Sequence, residues 1–214
     1  MPLPCYDFRP GPLPCKQSLN TIAMNPTRDI KADHTAITII LDAMKKLALD
    51  MQKGKFIDSY RIVQIFDFLH SFNEHTHYEK EEKSLYPALL EYNIPWTADT
   101  IDHLASEHKL AHACINEIDA LFQEYLSGNV QVIDTLSLSM LEYIELEKRH
   151  IKIVNTVVLP LCERVFDARK LQTLAVDFKR IQKLNAAQLR YEDYYQLLAM
   201  IYSENEIIPE RVNR

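Results

Sequence analysis

The chain has 214 residues, of which 47% are hydrophobic and 25% charged, with a formal net charge of −6. That is enough apolar text for one packed domain with extensions, and too acidic a balance to neutralise nucleic-acid phosphates. No run approaches the ~20 apolar residues of a membrane span, so neither nucleic acid nor a membrane is expected as partner. The stretch from Met1 to Arg9 has no basic region leading into an apolar one, so no secretory signal is expected and the cytoplasm is the predicted compartment. Only three glycines occur (Gly11, Gly54, Gly128), which fits long helices rather than a turn-rich β protein. Cys5, Cys15, Cys114 and Cys162 form no C-x-x-C pair, so thiolate metal sites are not expected and idle thiols are preferred to a Cys5–Cys15 bridge.

Residues 1–24 hold five of the ten prolines and read as an irregular leader. Asn25-Pro26-Thr27 supplies cap chemistry for a first helix to about Gln52, with Ile30, Ile37, Leu41, Met44, Ala48 and Met51 on one stripe and His34 among them. After Gly54 a second helix is predicted over 57–92, with Val63, Phe66, His70, Asn73, His77 and Glu81 on its inner face. Asn93-Ile94-Pro95 breaks the chain, and Thr97 or Asp99 can cap a third helix to about Leu126, closed by Ser127-Gly128-Asn129. A fourth runs over 132–165, inward at Leu136, Tyr143, Leu146, His150, Val154, Val157 and Leu161. Residues 166–214 remain helical in pattern but lack histidine, reading as one or two extra helices packed on the bundle or on a partner. Tyr191, Tyr194 and Tyr195 can form an interface, a homodimer through these helices included, although capping of the bundle end is the more ordinary role.

A pattern within residues 25–165 occurs twice, about 73 residues apart. Asp33-His34 and Glu107-His108 open the copies. His77 and His150 follow 43 and 42 residues later, and Pro87 and Pro160 lie ten residues beyond those. Two copies of a helical hairpin, each helix offering an inward histidine, build a metal site inside a four-helix bundle. At about 100° per residue, Glu81 shares a face with His77, and His112 shares one with His108. By the same count His75 and His103 face solvent, while His70 lies too far along the axis to be a ligand. Any single histidine on an apolar face is usually a satisfied core residue. Five of them in phase with a carboxylate, buried without a cation, would each leave a ring nitrogen wanting a partner at about 1–3 kcal/mol.

The ordered set of His34 after an acid, His77-x-x-x-Glu81-Glu82-x-x-Leu85-Tyr86-Pro87, Glu107-His108-x-x-x-His112, and His150-Ile151 with Pro160 resembles the hemerythrin-like domains, also called the HHE cation-binding family. The resemblance covers about residues 27–165. It implies an all-α, antiparallel up-down four-helix bundle holding a non-haem di-iron centre. His34 and His77 would bind one iron, His108, His112 and His150 the other, and Glu81 would bridge them. Independently of the resemblance, imidazole-rich ligation suits iron, zinc or copper and disfavours Mg²⁺ and Ca²⁺. Zinc or manganese could occupy the same ligands.

One position breaks the repeat. Val154 stands where the second copy should carry the equivalent of Glu81, and Asn155, a weak neutral oxygen donor, follows it. Five residues after His150 is about 140° out of phase unless the helix is locally distorted. Glu147, three residues before His150, is a further candidate ligand with the Glu-x-x-His spacing of carboxylate-bridged bundles, as is Glu74 before His77. A solvated glutamate is the favoured reading for both. Three functions compete: a di-metal protein that senses, binds or stores O₂ or NO or answers redox and nitrosative stress; an enzyme reducing peroxide or NO at the same centre; and a metal-poor bundle acting as an interaction module. The first is preferred, with a diatomic or peroxide as its small ligand, and whether there is turnover is left open.

Overall fold

The computed structural model describes residues 25–55, 58–185 and 197, and over these the protein is helical with no strand. Five helices follow one another: α1 (Pro26–Gln52), α2 (59–90), α3 (Thr97–Leu126), α4 (133–165, after a 3₁₀ turn at Val130–Val132) and α5 (Ala168–Asn185). Two of them are not uniform. α2 contains π-helical stretches at Leu69–His77 and Glu81–Leu85, and α4 contains one at Val154–Val158. The leader, Cys5, Cys15, the Tyr191 group and any second C-terminal helix lie outside the described residues.

Local chemistry sets the helix ends. Asn25 Oδ1 accepts the Thr27 N–H at 3.1 Å, and Pro26 occupies the first helical position, where a missing N–H costs nothing. Past Gln52 the chain turns through Gly54 at φ +65°, a conformation that favours glycine. Asp58 caps α2 by accepting the Tyr60 N–H at 3.0 Å. α3 departs from expectation: neither Thr97 nor Asp99 is its cap. The helix starts at Thr97 itself, whose hydroxyl donates back to the Ile94 carbonyl at 2.7 Å, and the preceding Trp96 takes the left-handed conformation at φ +71°. Asp99 sits in the first turn, where its charge meets the positive helix end.

α4 packs along both α1 and α3, while α2 touches α1 and α3, so α1 to α4 surround a common core. α5 lies across α1 and the middle of α2, burying Leu174, Phe178 and Ile181. The α1 stripe reads as expected, and all six of its apolar members are buried. Val63 and Val157 are corrections, being 39% and 37% exposed. In α2 the buried stripe starts on Ile62, Ile65 and Phe66. In α4 the π turn inserts a residue, so that Val158 takes the inward place a uniform wheel gives Val157. The core divides into two apolar clusters, one around Ile37, Met44, Phe68, Ile115 and Ile144, the other around Ile30, Leu89, Leu104, Val158 and Phe178. Between them lies a polar layer holding Asp33, His34, Asn73, His77, Lys80, Glu81, Glu107, His108, Glu147 and His150, all buried. Burying that much polarity is tolerable only if the groups satisfy one another or hold a cation.

Candidate metal centre

Four helices each bring a buried imidazole to this layer: His34 from α1, His77 from α2, His108 from α3 and His150 from α4. Glu81, fully buried and one turn beyond His77, stands at the centre. Its Oε1 lies 3.6 Å from His34 Nε2 and 3.7 Å from His77 Nε2. Its Oε2 lies 3.3 Å from His108 Nε2 and 3.2 Å from His150 Nε2, and accepts the Tyr86 hydroxyl at 2.5 Å. The result is two three-residue groups, His34/His77/Glu81 and Glu81/His108/His150, each compact enough to hold one metal ion, with the carboxylate common to both.

The first group is incomplete as a hydrogen-bonded cluster. His34 Nε2, His77 Nε2 and Glu81 Oε1 are buried with no hydrogen-bond partner. Ligands about 2.0–2.1 Å from a tetrahedral ion stand about 3.4 Å apart, close to the spacings found here. These donors therefore fit a cation better than they fit one another.

The opposite nitrogen of each ring explains why Nε2 points inward. His34 Nδ1 meets Asn155 Oδ1 at 2.8 Å, and His108 Nδ1 meets Glu82 Oε1 at 2.7 Å. His77 Nδ1 lies 3.4 Å from Asp33 Oδ2, and His150 Nδ1 lies 3.3 Å from Glu107 Oε2. At His34 and His77 the oxygen behind the ring selects the tautomer with hydrogen on Nδ1 and frees the Nε2 lone pair, the arrangement that metal-ligating histidines use, whereas the Nε2 atoms of His108 and His150 meet each other at 3.1 Å and share Glu81 Oε2. The pattern obeys the sequence repeat. In each copy the acid of the acid–His pair stands behind the other histidine of the same copy. The residue after Glu81 or Val154 stands behind the first histidine of the opposite copy. A π turn begins at Glu81 and at its equivalent, Val154. The widened helix is the distortion that lets Glu82 and Asn155 reach across.

Electrostatics divides the two groups. Burial drives the His77 imidazole down to about 4, against the opposing pull of Glu81 and Asp33, so it is neutral and ready to ligate. Burial also acts on His150, but hydrogen bonds to Glu107 and Glu81 and their charges outweigh it and raise it to about 10. Glu81 is pushed towards neutrality by burial, yet electrostatic attraction to the His77 ring and hydrogen bonds from His108 and His150 hold it well below the usual carboxylate range. The anion survives at the centre of a dry layer because the imidazoles surround it.

Three candidates are not brought into the cluster. The His112 side chain is 63% exposed, with Nδ1 on Glu74 Oε1 at 2.8 Å and Nε2 against Asn116 Nδ2 at 3.1 Å. The reason is packing: the buried stripe of α3 runs Leu104, His108, Ala111, Ile115, Ile118, Phe122, which leaves His112 on its flank. Asn155 stands behind His34, with its oxygen turned to the ring rather than to the pocket. Glu147 is not the solvated glutamate favoured from the sequence. It is buried, accepts the Tyr78 hydroxyl and takes the Asn73 amide at 3.1 Å, and belongs to neither three-residue group. Glu74 is likewise engaged, between His70 and His112. His75 and His103 are exposed as expected.

Sequence reasoning missed the backing roles of Asp33, Glu107 and Glu82, and the fully buried Lys80, whose Nζ lies 2.7 Å from Asp33 Oδ2. The repeated acid–His pair was a visible signal for two of them. Which histidine each acid serves depends on packing between helices, which one strand of text does not give. Tyr78, stacked on His108 with ring centroids 3.7 Å apart, carried no signal at all.

A family model described as the hemerythrin HHE cation binding domain matches residues 25–162, the span that contains every residue of this pocket. No curated protein and no solved structure matches the chain significantly.

Proposed function

The chain belongs to the hemerythrin HHE cation-binding family, and from that premise we propose that its pocket holds a pair of transition-metal ions, iron foremost, and presents them to a small oxidant such as O₂, NO or a peroxide. The observation that carries this reading is the sharing of one buried carboxylate by two imidazole pairs, with His34 Nε2, His77 Nε2 and Glu81 Oε1 left unpartnered. Imidazole with a single carboxylate suits iron, and zinc or manganese can compete for the same donors. In this reading α1 to α4 form the antiparallel up-down bundle of the family.

Bound iron would supply one-electron redox chemistry and an open position for a diatomic ligand. The chain's own residues do the rest. Glu81 holds the two positions together, Tyr86 steadies its Oε2, and the apolar clusters above and below keep bulk water out. Val154, fully buried one turn from His150, offers no second carboxylate, so Glu81 would be the one carboxylate holding both ions and one position would be the weaker. Binding or sensing is preferred to turnover.

The test is elemental analysis with an absorption spectrum of protein purified from iron-replete cells. About one to two iron ions per chain are expected, with near-ultraviolet charge-transfer bands after air oxidation. Colourless protein that takes up neither iron nor zinc stoichiometrically would refute the reading and favour an interaction module. Steady peroxide or NO consumption with an electron donor would move the assignment to an enzyme.

A further inference from the structure

Lys80 is the least expected residue of the polar layer. Its side chain is fully buried, although an ammonium group gives up its hydration on burial. It neighbours Glu81, but its charge is spent elsewhere: Nζ lies 2.7 Å from Asp33 Oδ2 and 3.3 Å from Asp29 Oδ2. Asp33 Oδ2 is also the atom 3.4 Å from His77 Nδ1. One carboxylate oxygen thus joins the buried cation to the back of a pocket histidine. The equivalent acid of the second copy, Glu107, receives its cation from Arg149 at 2.9 Å, and that side chain is 56% exposed. Equivalent positions are therefore served by a surface guanidinium in one copy and a sealed ammonium in the other.

The seal comes from α5, which begins beyond residue 162, where the family match ends. Phe178, itself fully buried, places its ring 5.7 Å from Lys80 Nζ. α5 packs on α1 and on the segments of α2 on either side of Lys80. At its C-terminal end the Asn185 amide donates to the His75 carbonyl and reaches Glu79 Oε2 at 3.4 Å. A helix outside the matched domain thus closes over the Lys80 ammonium that holds Asp33 in place.

We propose that Lys80 and α5 form a positioning device for the His34/His77 half of the pocket, in which Lys80, kept dry by Phe178, pins Asp33 behind His77 and so keeps the His77 Nε2 lone pair turned inward. It rests on the reading of the pocket as a metal site, but part of its test does not. Asp33 is an anion one residue from His34; without Lys80 it has no fixed direction, and His77 loses the acceptor that selects its tautomer. Loss of such a partner behind a ligand typically lowers metal affinity 10–100-fold.

The test uses the full chain and three variants: Lys80→Met, Phe178→Ala and Leu174→Ala. Leu174 is equally a buried member of α5 but is no part of the Lys80 contact, so its loss measures packing alone. Nitrogen-15 spectra of the metal-free protein report the His77 tautomer, and zinc titration against a chromophoric chelator reports affinity. Lys80→Met and Phe178→Ala are expected to broaden or shift the His77 Nδ1–H signal and to weaken one zinc position about 10–100-fold. Leu174→Ala should leave both readouts near those of the parent. A parent-like His77 signal in Lys80→Met, or equal losses in Leu174→Ala and Phe178→Ala, overturns the proposal. Should Lys80→Met not fold, the two α5 variants decide it between them. If the parent itself binds no zinc, the metal reading fails while the His77 spectra still judge the positioning role.

Discussion

Replacing Asn155 by alanine separates two roles that a residue at this position can play. His34 Nδ1 sits 2.8 Å from Asn155 Oδ1, and His34 is 1% exposed, so no solvent stands ready to replace the lost acceptor. An unsatisfied buried N–H costs about 1–3 kcal/mol. In a domain of this size each kcal/mol lowers the midpoint by about 2–4 °C, so metal-free Asn155→Ala should melt roughly 2–12 °C below the parent. His34 can escape part of that cost by switching its hydrogen to Nε2, but then the lone pair faces away from the pocket. Zinc affinity at one position should accordingly fall about 10–100-fold. Asn155→Asp keeps the acceptor and adds charge, so it should hold or raise affinity. The assays are thermal melts without metal and chelator competition with zinc. Were Asn155 itself a ligand, alanine would cost affinity without destabilising the metal-free protein. That outcome, or no change in either assay, would refute the reasoning.

Three further outcomes follow from the same geometry. His112→Ala should leave cation stoichiometry unchanged, because the ring is exposed and bonded to Glu74 and Asn116; loss of a cation in this variant would mean that the ring turns inward on loading. Val154→Glu should raise occupancy of the weaker position and lower metal-free stability by several kcal/mol, since it buries a carboxylate where Val154 is now fully enclosed; unchanged metal content would count against a missing bridge. His70, bonded through Nε2 to Asp119 Oδ2 at 2.6 Å and through Nδ1 to Glu74 Oε2 at 2.8 Å, is raised by those partners to about 10. Its unfolded value is near ~6.5, so the stabilisation is whole below about pH 6.5 and disappears as pH rises through about 10. His70→Gln should therefore be less stable than the parent by about 1–2 kcal/mol at pH 6, after allowance for the partly exposed Asp119. The gap should narrow by pH 10, and a gap that widens with pH in urea titrations would reverse the argument.

The helices and most of the pocket were legible in the sequence because both follow from periodicity. α1 is regular, so its stripe and His34 fell where a uniform wheel put them. α2 and α4 are not, and the errors there share one cause. Val63 and Val157 were assigned with a constant turn, whereas the π stretches insert residues that move both of them around the axis. His112 lies outside the cluster for a different reason. The spacing of four residues to His108 is compatible with a shared face, but the core stripe of α3 advances by three at that point, from His108 to Ala111, and sets the register of the helix. Glu147 was misread because neighbouring charges were taken as a sign of solvent. On α4, Glu145 is exposed and Glu147 is buried two residues later, as helix phase alone allows.

The pairing behind the rings also gives a physical reason why the repeat holds at the backing residues and breaks at Val154. A residue that backs a histidine must lie opposite that histidine on another helix, so Asp33, Glu82, Glu107 and Asn155 are each tied to a partner 26 to 121 residues away. Changing Asp33, Glu82 or Asn155 leaves an Nδ1–H without its acceptor whether or not a metal is present. Glu81 and its equivalent are not constrained in that way, because they face the pocket rather than the rings' backs. An apolar residue such as Val154 then leaves no orphaned donor and packs with Val158 and Leu159. Under the proposed function the frame would be held by folding and the bridge by the metal, so Val154→Glu should change metal content while leaving the four Nδ1 contacts in place. If those contacts were lost as well, frame and bridge would not be separable, and the retention of the repeat would need another cause.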